Sequence, residues 1–227
     1  MLANNIANAS APGFKADHEF YSLYLSAEAA DSPAGTSPPV LPVIDRPWTD
    51  FSQGSLLPTG NSLDLALSGN GFFVASSPSG PLYTRSGSFR LSAQGQLQTR
   101  EGYPLQDPQG KPVLLDVAQA VEVAADGTVR QGGQDVSRLA LVDFQDRSTL
   151  SKRGDNYFQI SSSSTPPEIA AGAELQQGKV EAANAQPAQS AVRLVNVLRQ
   201  FEALQKALAI GADMNRRVVE DVAKVSQ

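Results

Sequence analysis

The chain of 227 residues carries 18 Lys and Arg against 23 Asp and Glu, which gives a formal net charge of −5. It contains no cysteine and one histidine, which excludes disulfides, thiolate zinc sites, a cysteine nucleophile and multi-histidine metal sites. The mild acidity argues against nucleic-acid binding, and no apolar run approaches the roughly 20 residues of a membrane helix. We therefore expect a soluble globular protein with no metal, no cofactor, no nucleic-acid partner and no stable membrane insertion.

Residues 1–31 are predicted to form a helical and turn segment. Leu2 and Ile6 follow helical spacing, and Pro12 and Gly13 then interrupt the helix. The segment lacks the basic and apolar regions of a cleaved secretory signal. Asparagines at the helix end are suited to cap backbone groups, and the same turn would serve as a hinge into the next segment.

Residues 32–47 are rich in proline and are predicted to form an extended connector, because proline favours extended geometry in itself and in the residue before it. From residue 48 to residue 180, short apolar runs alternate with glycine-containing turns, which is typical of a β-rich domain with many short, irregular antiparallel strands. The predicted strands cover residues 63–67, 72–76, 82–85, 88–91, 97–99, 121–123, 139–144 and 157–160.

Residues 181–227 are predicted to form a long helix, with Pro187 in its first turn. Its apolar seam repeats in steps of three and four residues, the a/d pattern of a coiled coil. The seam residues are Leu194, Val197, Phe201, Leu204, Leu208, Gly211, Asn215, Val218 and Val222. A helix of roughly 35–40 residues is about 55 Å long, more than a small β domain covers. The seam packs either on its own domain or, as its length favours, against partners in an assembly.

Together these segments predict an α+β fold in which a β-rich central domain lies between N- and C-terminal helical segments. Asp64 and Asp143 lie in apolar strands, and a pair of carboxylates can serve as general acid and base. No histidine, cysteine or conspicuous lysine lies near either residue in the sequence. We therefore expect structural roles for both aspartates, with Asp64 facing a turn or capping backbone amides, and we expect no catalytic site.

Five sequence blocks, in the same order along the chain, resemble the blocks of bacterial flagellar rod and hook proteins. They lie at residues 2–15, 54–73, 83–105, 139–158 and 178–185. They include the strings LANNIANASAPGFK, LDLALSGNGFF, YTRSGSF, LALVDF and GKVEAANA. The blocks span nearly the whole chain, and several together are more specific than any one of them.

The resemblance singles out two groups of candidate site residues. Those of the family's turn are Asn4, Asn5, Asn8, Pro12, Gly13 and Phe14. Those of its β core are Leu63, Asp64, Gly71, Phe72, Phe73, Tyr83, Thr84, Arg85, Gly87 and Phe89. The chain departs from the family in two places. Met1 stands almost at the turn, where family members have a longer helix, so a truncated first helix is expected. Ala183 stands where the family often has serine.

The resemblance implies a structural subunit of the flagellar basal-body rod and no enzymatic activity. Such subunits assemble into a periplasmic tubular shaft that transmits torque and encloses the export channel. The implied partners are further copies of the chain, neighbouring rod and hook subunits, and the flagellar type III export machinery, with no small-molecule substrate. Within the family, the chain most resembles the rod subunit that adjoins the distal rod. The alternatives are the distal rod protein, a hook-type subunit and, in a different class, a secreted β-rich adhesin.

Overall fold

The structure is a computed structural model of the chain. It describes residues 1–25, 40–154, 156–160 and 165–225. Residues 32–39 of the predicted connector and the last two residues of the predicted helical segment lie outside the described part.

Most of the described chain folds into short strands. In chain order they are β1 Asp17–Leu25, β2 Val40–Thr49, β3 Leu56–Pro58, β4 Leu65–Ser68, β5 Phe72–Ser77, β6 Gly80–Thr84, β7 Phe89–Leu91, β8 Leu97–Thr99, β9 Glu122–Val123, β10 Thr128–Gln131, β11 Gln134–Arg138, β12 Leu141–Asp143, β13 Leu150–Lys152, β14 Tyr157–Ile160, β15 Glu168–Ile169, β16 Glu174–Gln177 and β17 Lys179–Glu181. Each predicted strand overlaps an observed one, namely β4 to β9, β12 or β14. The sequence pattern does not predict β3, β10, β11, β13 or β15 to β17.

The strands form one large antiparallel sheet and several smaller ones. The large sheet has six strands in the order β13-β14-β6-β5-β12-β15. A three-stranded sheet has the order β11-β10-β9, and further strands pair as β16-β4, β17-β3 and β7-β8. The pairs β16-β4 and β17-β3 bring the segment before the C-terminal helix back onto the first strands of the central domain.

The six-stranded sheet contributes to two hydrophobic clusters. Along β5, Phe73 and Ala75 belong to one cluster, and Phe72 and Val74 belong to the other, as the two-residue period of a strand requires. The second cluster is rich in aromatic rings, and Phe72 meets Phe144 edge-on with 5.7 Å between ring centroids. The core therefore lies on both faces of this sheet.

A two-stranded antiparallel hairpin, β1–β2, follows the N-terminal turn. Its pairing runs from Asp17 opposite Thr49 to Leu25 opposite Val40. Within the segment predicted as helix and turn, residues 17–25 are therefore extended, because their Phe, Tyr and Leu residues suit a strand, and residues 26–31 lie outside the described part. β2 occupies the second half of the predicted proline-rich connector and crosses the predicted boundary at residue 48. Its prolines are tolerated because a two-stranded sheet leaves one edge of each strand unpaired.

Helices stand at both ends of the described chain. The short α1 spans Leu2–Ala7, and α2 spans Pro187–Val225. With 39 residues, α2 is about 58 Å long. It confirms the predicted C-terminal helix, although the helix begins at Pro187 and not at residue 181. α1 packs against α2. Within the described residues, neither helix is both long and apolar enough to cross a membrane.

Candidate assembly surface and charged junction

Helix α2 exposes a row of large apolar side chains along its predicted seam. Val197, Phe201, Leu204 and Leu208 are 47%, 57%, 64% and 75% exposed. Leu194, nearer the start of the helix, is half-buried. Contiguous apolar surface of this kind marks an interaction site, because covering it removes apolar area from water.

The predicted seam continues beyond the part of α2 whose side chains are described. Gly211 is half-buried, whereas the side chains of Asn215, Val218 and Val222 lie outside the described part. The backbone of α2 remains helical through all of these positions.

A second set of exposed apolar side chains lies on another face of α2. Val192, Ile210 and Met214 are each more than half exposed. At 100° per residue, Ile210 is turned about 160° from Leu194. A helix with apolar surface on opposite faces is typical of one that several neighbours surround.

A buried charged junction, made of Lys15, Arg85 and Glu181, lies where the two ends of the chain meet the β domain. Lys15 Nζ is 2.6 Å from Glu181 Oε1, and both side chains are fully buried. Lys15 Nζ also donates a hydrogen bond of 2.6 Å to the carbonyl oxygen of Ser52. The Gly54 amide donates to Glu181 Oε1 at 2.8 Å. The carboxylate is thus held by the N-terminal lysine and by the loop that follows β2.

Arg85 completes the charged junction from the loop after β6. Its Nε is 3.3 Å from Glu181 Oε2, and its Nη2 donates to the Gly69 carbonyl at 2.7 Å. Among the described residues, Arg85 Nη1 and Glu181 Oε2 have no hydrogen-bond partner. Two cations therefore share one carboxylate, and both depend on it.

Burial dominates the electrostatics of the charged junction. Desolvation lowers the pKa of Lys15, and the neighbouring Glu181 carboxylate opposes this by raising it. Burial likewise lowers the pKa of Arg85 against the attraction of Glu181. Removing the carboxylate would leave two buried cations without their ion-pair partner, which is the costly way to break a buried ion pair.

Backbone hydrogen bonds interlock the two chain ends around the charged junction. The Gly13 amide donates to the Glu181 carbonyl at 2.7 Å, and the Asn184 amide donates to the Phe14 carbonyl at 3.3 Å. Gly13 has a φ of 69°, and a Cβ at this position would lie 2.3 Å from the backbone carbonyl carbon of Arg85. The turn therefore needs glycine both for its backbone angle and for the close approach.

Two asparagine side chains bind both helices to the base of the β1–β2 hairpin. This base, around Ala16, Asp17 and Asp50, is called the root. Asn5 in α1 donates to the Asp17 carbonyl at 2.8 Å and accepts from the Asp17 amide at 3.0 Å. Asn184, just before α2, accepts from the Ala16 amide at 2.7 Å and donates to the Asp50 carbonyl at 2.7 Å. α1, the hairpin and α2 are therefore rooted at one place.

Lys152, at the end of β13, joins the same root from the β domain. Its Nζ is 2.8 Å from an Asp17 carboxylate oxygen and donates to the Lys15 carbonyl at 2.5 Å. The same ammonium lies 4.6 Å from the centroid of the Phe14 ring, a cation–π contact. The large antiparallel sheet thus holds the N-terminal segment directly.

The structure divides the predicted turn residues into two groups. Three of them lie at the root just described: Asn5, Gly13 and Phe14. The others act at the end of α1 and in the turn. Asn8 caps α1 and donates from its side chain to the Asn4 carbonyl at 3.0 Å. The Pro12 carbonyl accepts from the Asn156 side chain at 3.2 Å.

The predicted β-core residues lie in strands and tight turns of the central domain. Those with buried side chains are Phe72, Phe73, Tyr83, Thr84, Arg85 and Phe89. Leu63 is half-buried, Asp64 forms an isolated backbone bridge, and Gly71 precedes β5. A Cβ at Gly87 would lie 1.6 Å from the Leu65 carbonyl oxygen. Of this group, only Arg85 belongs to the charged junction.

The second aspartate considered as an acid or base has structural partners. Asp143 accepts a hydrogen bond of 2.8 Å from the Phe144 amide and forms an ion pair of 2.9 Å with Arg147. These contacts give Asp143 a structural role.

The residue patterns miss three residues of this root, namely Lys15, Glu181 and Asn184. Each lies inside a block that carries the family resemblance, yet none stands out by local spacing. Lys15 and Glu181 are 166 residues apart in the chain. The sequence feature that could have identified the pair is a positive residue in the first block and a negative residue in the last block.

A long helix with exposed apolar faces, rooted through buried polar contacts in a β-rich body, defines a structural subunit built for assembly. The chain matches the family models of the flagellar hook protein FlgE/F/G D1 domain at residues 66–131 and of the flagellar basal body rod FlgEFG protein C-terminal at residues 176–220. The chain belongs to the flagellar basal-body rod protein family.

Individual relatives support this membership along the whole chain. The flagellar basal-body rod protein FlgF of Caulobacter vibrioides is 36% identical over 231 residues, covering 100% of this chain and 92% of the relative. FlgF of Mesorhizobium japonicum is 30% identical over 216 residues, covering 93% and 87%. The flagellar basal-body rod protein FlgG of Caulobacter vibrioides is 29% identical over 236 residues, covering 94% and 89%.

Family membership makes this chain a structural subunit of the flagellar basal-body rod and not an enzyme. Its place is the basal-body rod, where it assembles with other rod and hook subunits. The adhesin alternative has no support in these similarities.

Proposed function

We propose that the chain is the rod subunit that adjoins the distal rod, and not the distal rod protein itself. In support, the FlgF relative from Caulobacter vibrioides is 36% identical to the chain, whereas the FlgG relative from the same organism is 29% identical. Both alignments cover nearly the whole chain. The two relatives come from one organism, so both values compare the chain with proteins of the same species.

We further propose that α2 assembles through its apolar seam with helices of neighbouring subunits. The observation that carries this proposal is the exposure of Val197, Phe201, Leu204 and Leu208 on a single helix. Water-exposed leucine and phenylalanine at heptad spacing are stabilised by knobs-into-holes packing against another helix. The exposed set on the opposite face, Val192, Ile210 and Met214, favours packing among several helices over a simple dimer.

In this arrangement the helices form the inner wall of a tubular shaft, and the β bodies contact one another outside it. The shaft transmits torque from the motor to the hook and leaves a central channel for later subunits. The subunits reach the rod through the flagellar type III export machinery, without removal of a signal peptide. The family resemblance of both terminal blocks supports these steps.

The seam is tested by aspartate substitutions on two faces of α2 in a strain that lacks the native gene. Leu204→Asp and Leu208→Asp place a charge in the seam. Lys206→Asp introduces an aspartate as well, but on the polar strip of α2 that also carries Arg199 and Glu202. We expect both seam variants to abolish swimming and to yield no complete rod, while Lys206→Asp keeps both.

Exported protein is measured in the same strains, so that a failure of export is not mistaken for a failure of assembly. A seam variant that is exported and forms normal rods would contradict the proposal. Loss of swimming in all three variants would also contradict it, because the effect would not depend on the seam.

The position in the rod is tested by the order of dependence in purified basal bodies. Deletion of this chain's gene should remove the distal rod protein as well, because the distal part assembles on the part before it. Deletion of the distal rod protein should leave this chain in place. The opposite dependence, measured by mass spectrometry of basal bodies, would assign the chain to the distal rod.

A further inference from the structure

The terminal helices and the hairpin share one root. Asn5 ties α1 to β1, Asn184 ties the start of α2 to the chain on both sides of the hairpin, and Lys152 ties Asp17 to the large sheet. The charged junction adjoins these contacts, because Lys15 lies between Phe14, whose carbonyl accepts from the Asn184 amide, and Ala16, whose amide donates to the Asn184 side chain. Three elements that leave the β body thus depend on one small region.

Beyond this root, α2 has little support from the rest of the described chain. All residues from 195 to 210 are exposed. The direction in which α2 leaves the β body is therefore set by the few residues before Pro187 and by the contact with α1. Small displacements at the root become large ones at the far end, since the helix is about 58 Å long.

The charged junction is suited to hold that direction. Lys15 and Glu181 are fully buried at 2.6 Å, and the ammonium and the carboxylate each bind a backbone group of the loop after β2 as well. A shift of either segment would separate charges that burial shields from solvent, which is costly. Apolar contacts at the same place would resist sliding far less, because they lack directional hydrogen bonds.

We infer that Lys15, Arg85 and Glu181 are positioning residues for rod assembly. They fix the direction in which α1 and α2 leave the β body, and they pass force between the helical wall and the outer domain. This inference rests on the proposed packing of α2 in the rod. The inference adds that the root is a rigid joint, whereas the asparagine-rich turn taken alone suggests a hinge.

The test measures the helix direction in the isolated full chain, so it does not depend on rod assembly. The chain has no cysteine, and two introduced cysteines therefore carry the only spin labels. Glu122→Cys labels β9 and Gln189→Cys labels the start of α2, both at exposed positions. Pulsed electron–electron double resonance then gives the distribution of distances between the two spin labels.

The key variant replaces all three buried charges by apolar side chains, Lys15→Met and Arg85→Met with Glu181→Leu, so that no buried cation is left without its carboxylate. Such replacements of buried ion pairs often keep the fold. We expect near-native thermal stability but a distance distribution at least twofold wider than in the parent chain. Lys15→Arg, with Glu181 unchanged, keeps the buried ion pair. We expect it to retain the narrow distance distribution of the parent chain. The exposed pair Arg130–Asp135 serves as control, since its replacement by Met and Leu should leave the width unchanged.

An unchanged distribution in the folded triple variant would overturn the inference, as would a broad distribution in the parent chain. If the triple variant fails to fold, Glu181→Asp keeps the charge and shortens the side chain by one methylene. A broadened distribution in Glu181→Asp supports the joint, and the parent distribution overturns it. The seam variants Leu204→Asp and Leu208→Asp should leave the width unchanged, which separates failure of the joint from failure of the seam.

Discussion

Gly54 lies so close to Ala182 that a Cβ at position 54 would come within 2.0 Å of the Ala182 carbonyl oxygen. The Ala182 amide in turn donates to the Ser55 carbonyl at 2.8 Å. The segment that leads to α2 therefore lies directly on the backbone of the loop after β2. The absence of a side chain at Gly54 makes this contact possible.

Gly54→Ala should destabilise the chain by about 1–3 kcal/mol, because the added methyl group must push the C-terminal segment away from the loop. Its φ lies outside the left-handed region, so the effect is steric. Gly172→Ala is the matched control, since a Cβ there would meet no atom within 4 Å. Urea unfolding of both variants provides the measurement. Equal stability of the two would refute the close approach.

Glu181→Gln should lower the free energy of unfolding by about 3–5 kcal/mol, because it removes the carboxylate that lies nearest to two buried cations. Asp135→Asn breaks an ion pair of the same 2.6 Å length at the surface and should have little effect. Thermal and chemical unfolding of both variants give the comparison. A loss for Glu181→Gln no larger than that for Asp135→Asn would contradict the importance of the charged junction.

Asn184→Ala should destabilise the chain by about 1–3 kcal/mol, because the Ala16 amide and the Asp50 carbonyl both lose their side-chain partner. Asn196→Ala, at an exposed position of α2, should change stability little. The measurement is urea unfolding at neutral pH. If the two alanine variants were equally stable, Asn184 would not be an anchor of the helix.

The raised pKa of Tyr157 leads us to expect that the chain loses stability in alkaline solution. Burial and the hydrogen bond that its hydroxyl donates to Glu101 raise the pKa of Tyr157 far above its ordinary value. Above about pH 10 the unfolded chain releases this proton while the folded chain keeps it, so stability falls as pH rises. Tyr157→Phe should reduce the slope of unfolding free energy between about pH 9 and pH 11. An unchanged slope would show that the tyrosine does not contribute.

Local patterns in the sequence predict those elements whose cause is local. The heptad spacing and lack of proline after Pro187 predict α2, and the apolar run with flanking glycines predicts β5 almost to the residue. β2 escapes prediction because its prolines normally oppose a strand. They fit only because its partner β1 leaves one edge free, which is a property of the pairing and not of the segment.

The candidate site is less predictable for the same reason. Glycine motifs and asparagines identify Gly13 and Asn5 through their turn chemistry. The pairing of Lys15 with Glu181 joins the two ends of the chain, and no spacing rule links residues so far apart. The family blocks contain both residues, but only the folded structure shows that they are buried together at 2.6 Å.

Hydrogen exchange of α2, in the isolated subunit and in purified basal bodies, tests the assembly role of this helix most directly. In the isolated subunit we expect fast exchange of the amides from residue 195 to residue 210, where every residue is exposed, and slow exchange in β5 and β6. In assembled rods the same α2 amides should become as slow as those of the β strands. Equal exchange of α2 in the two states would contradict the proposal that this helix is buried by neighbouring subunits.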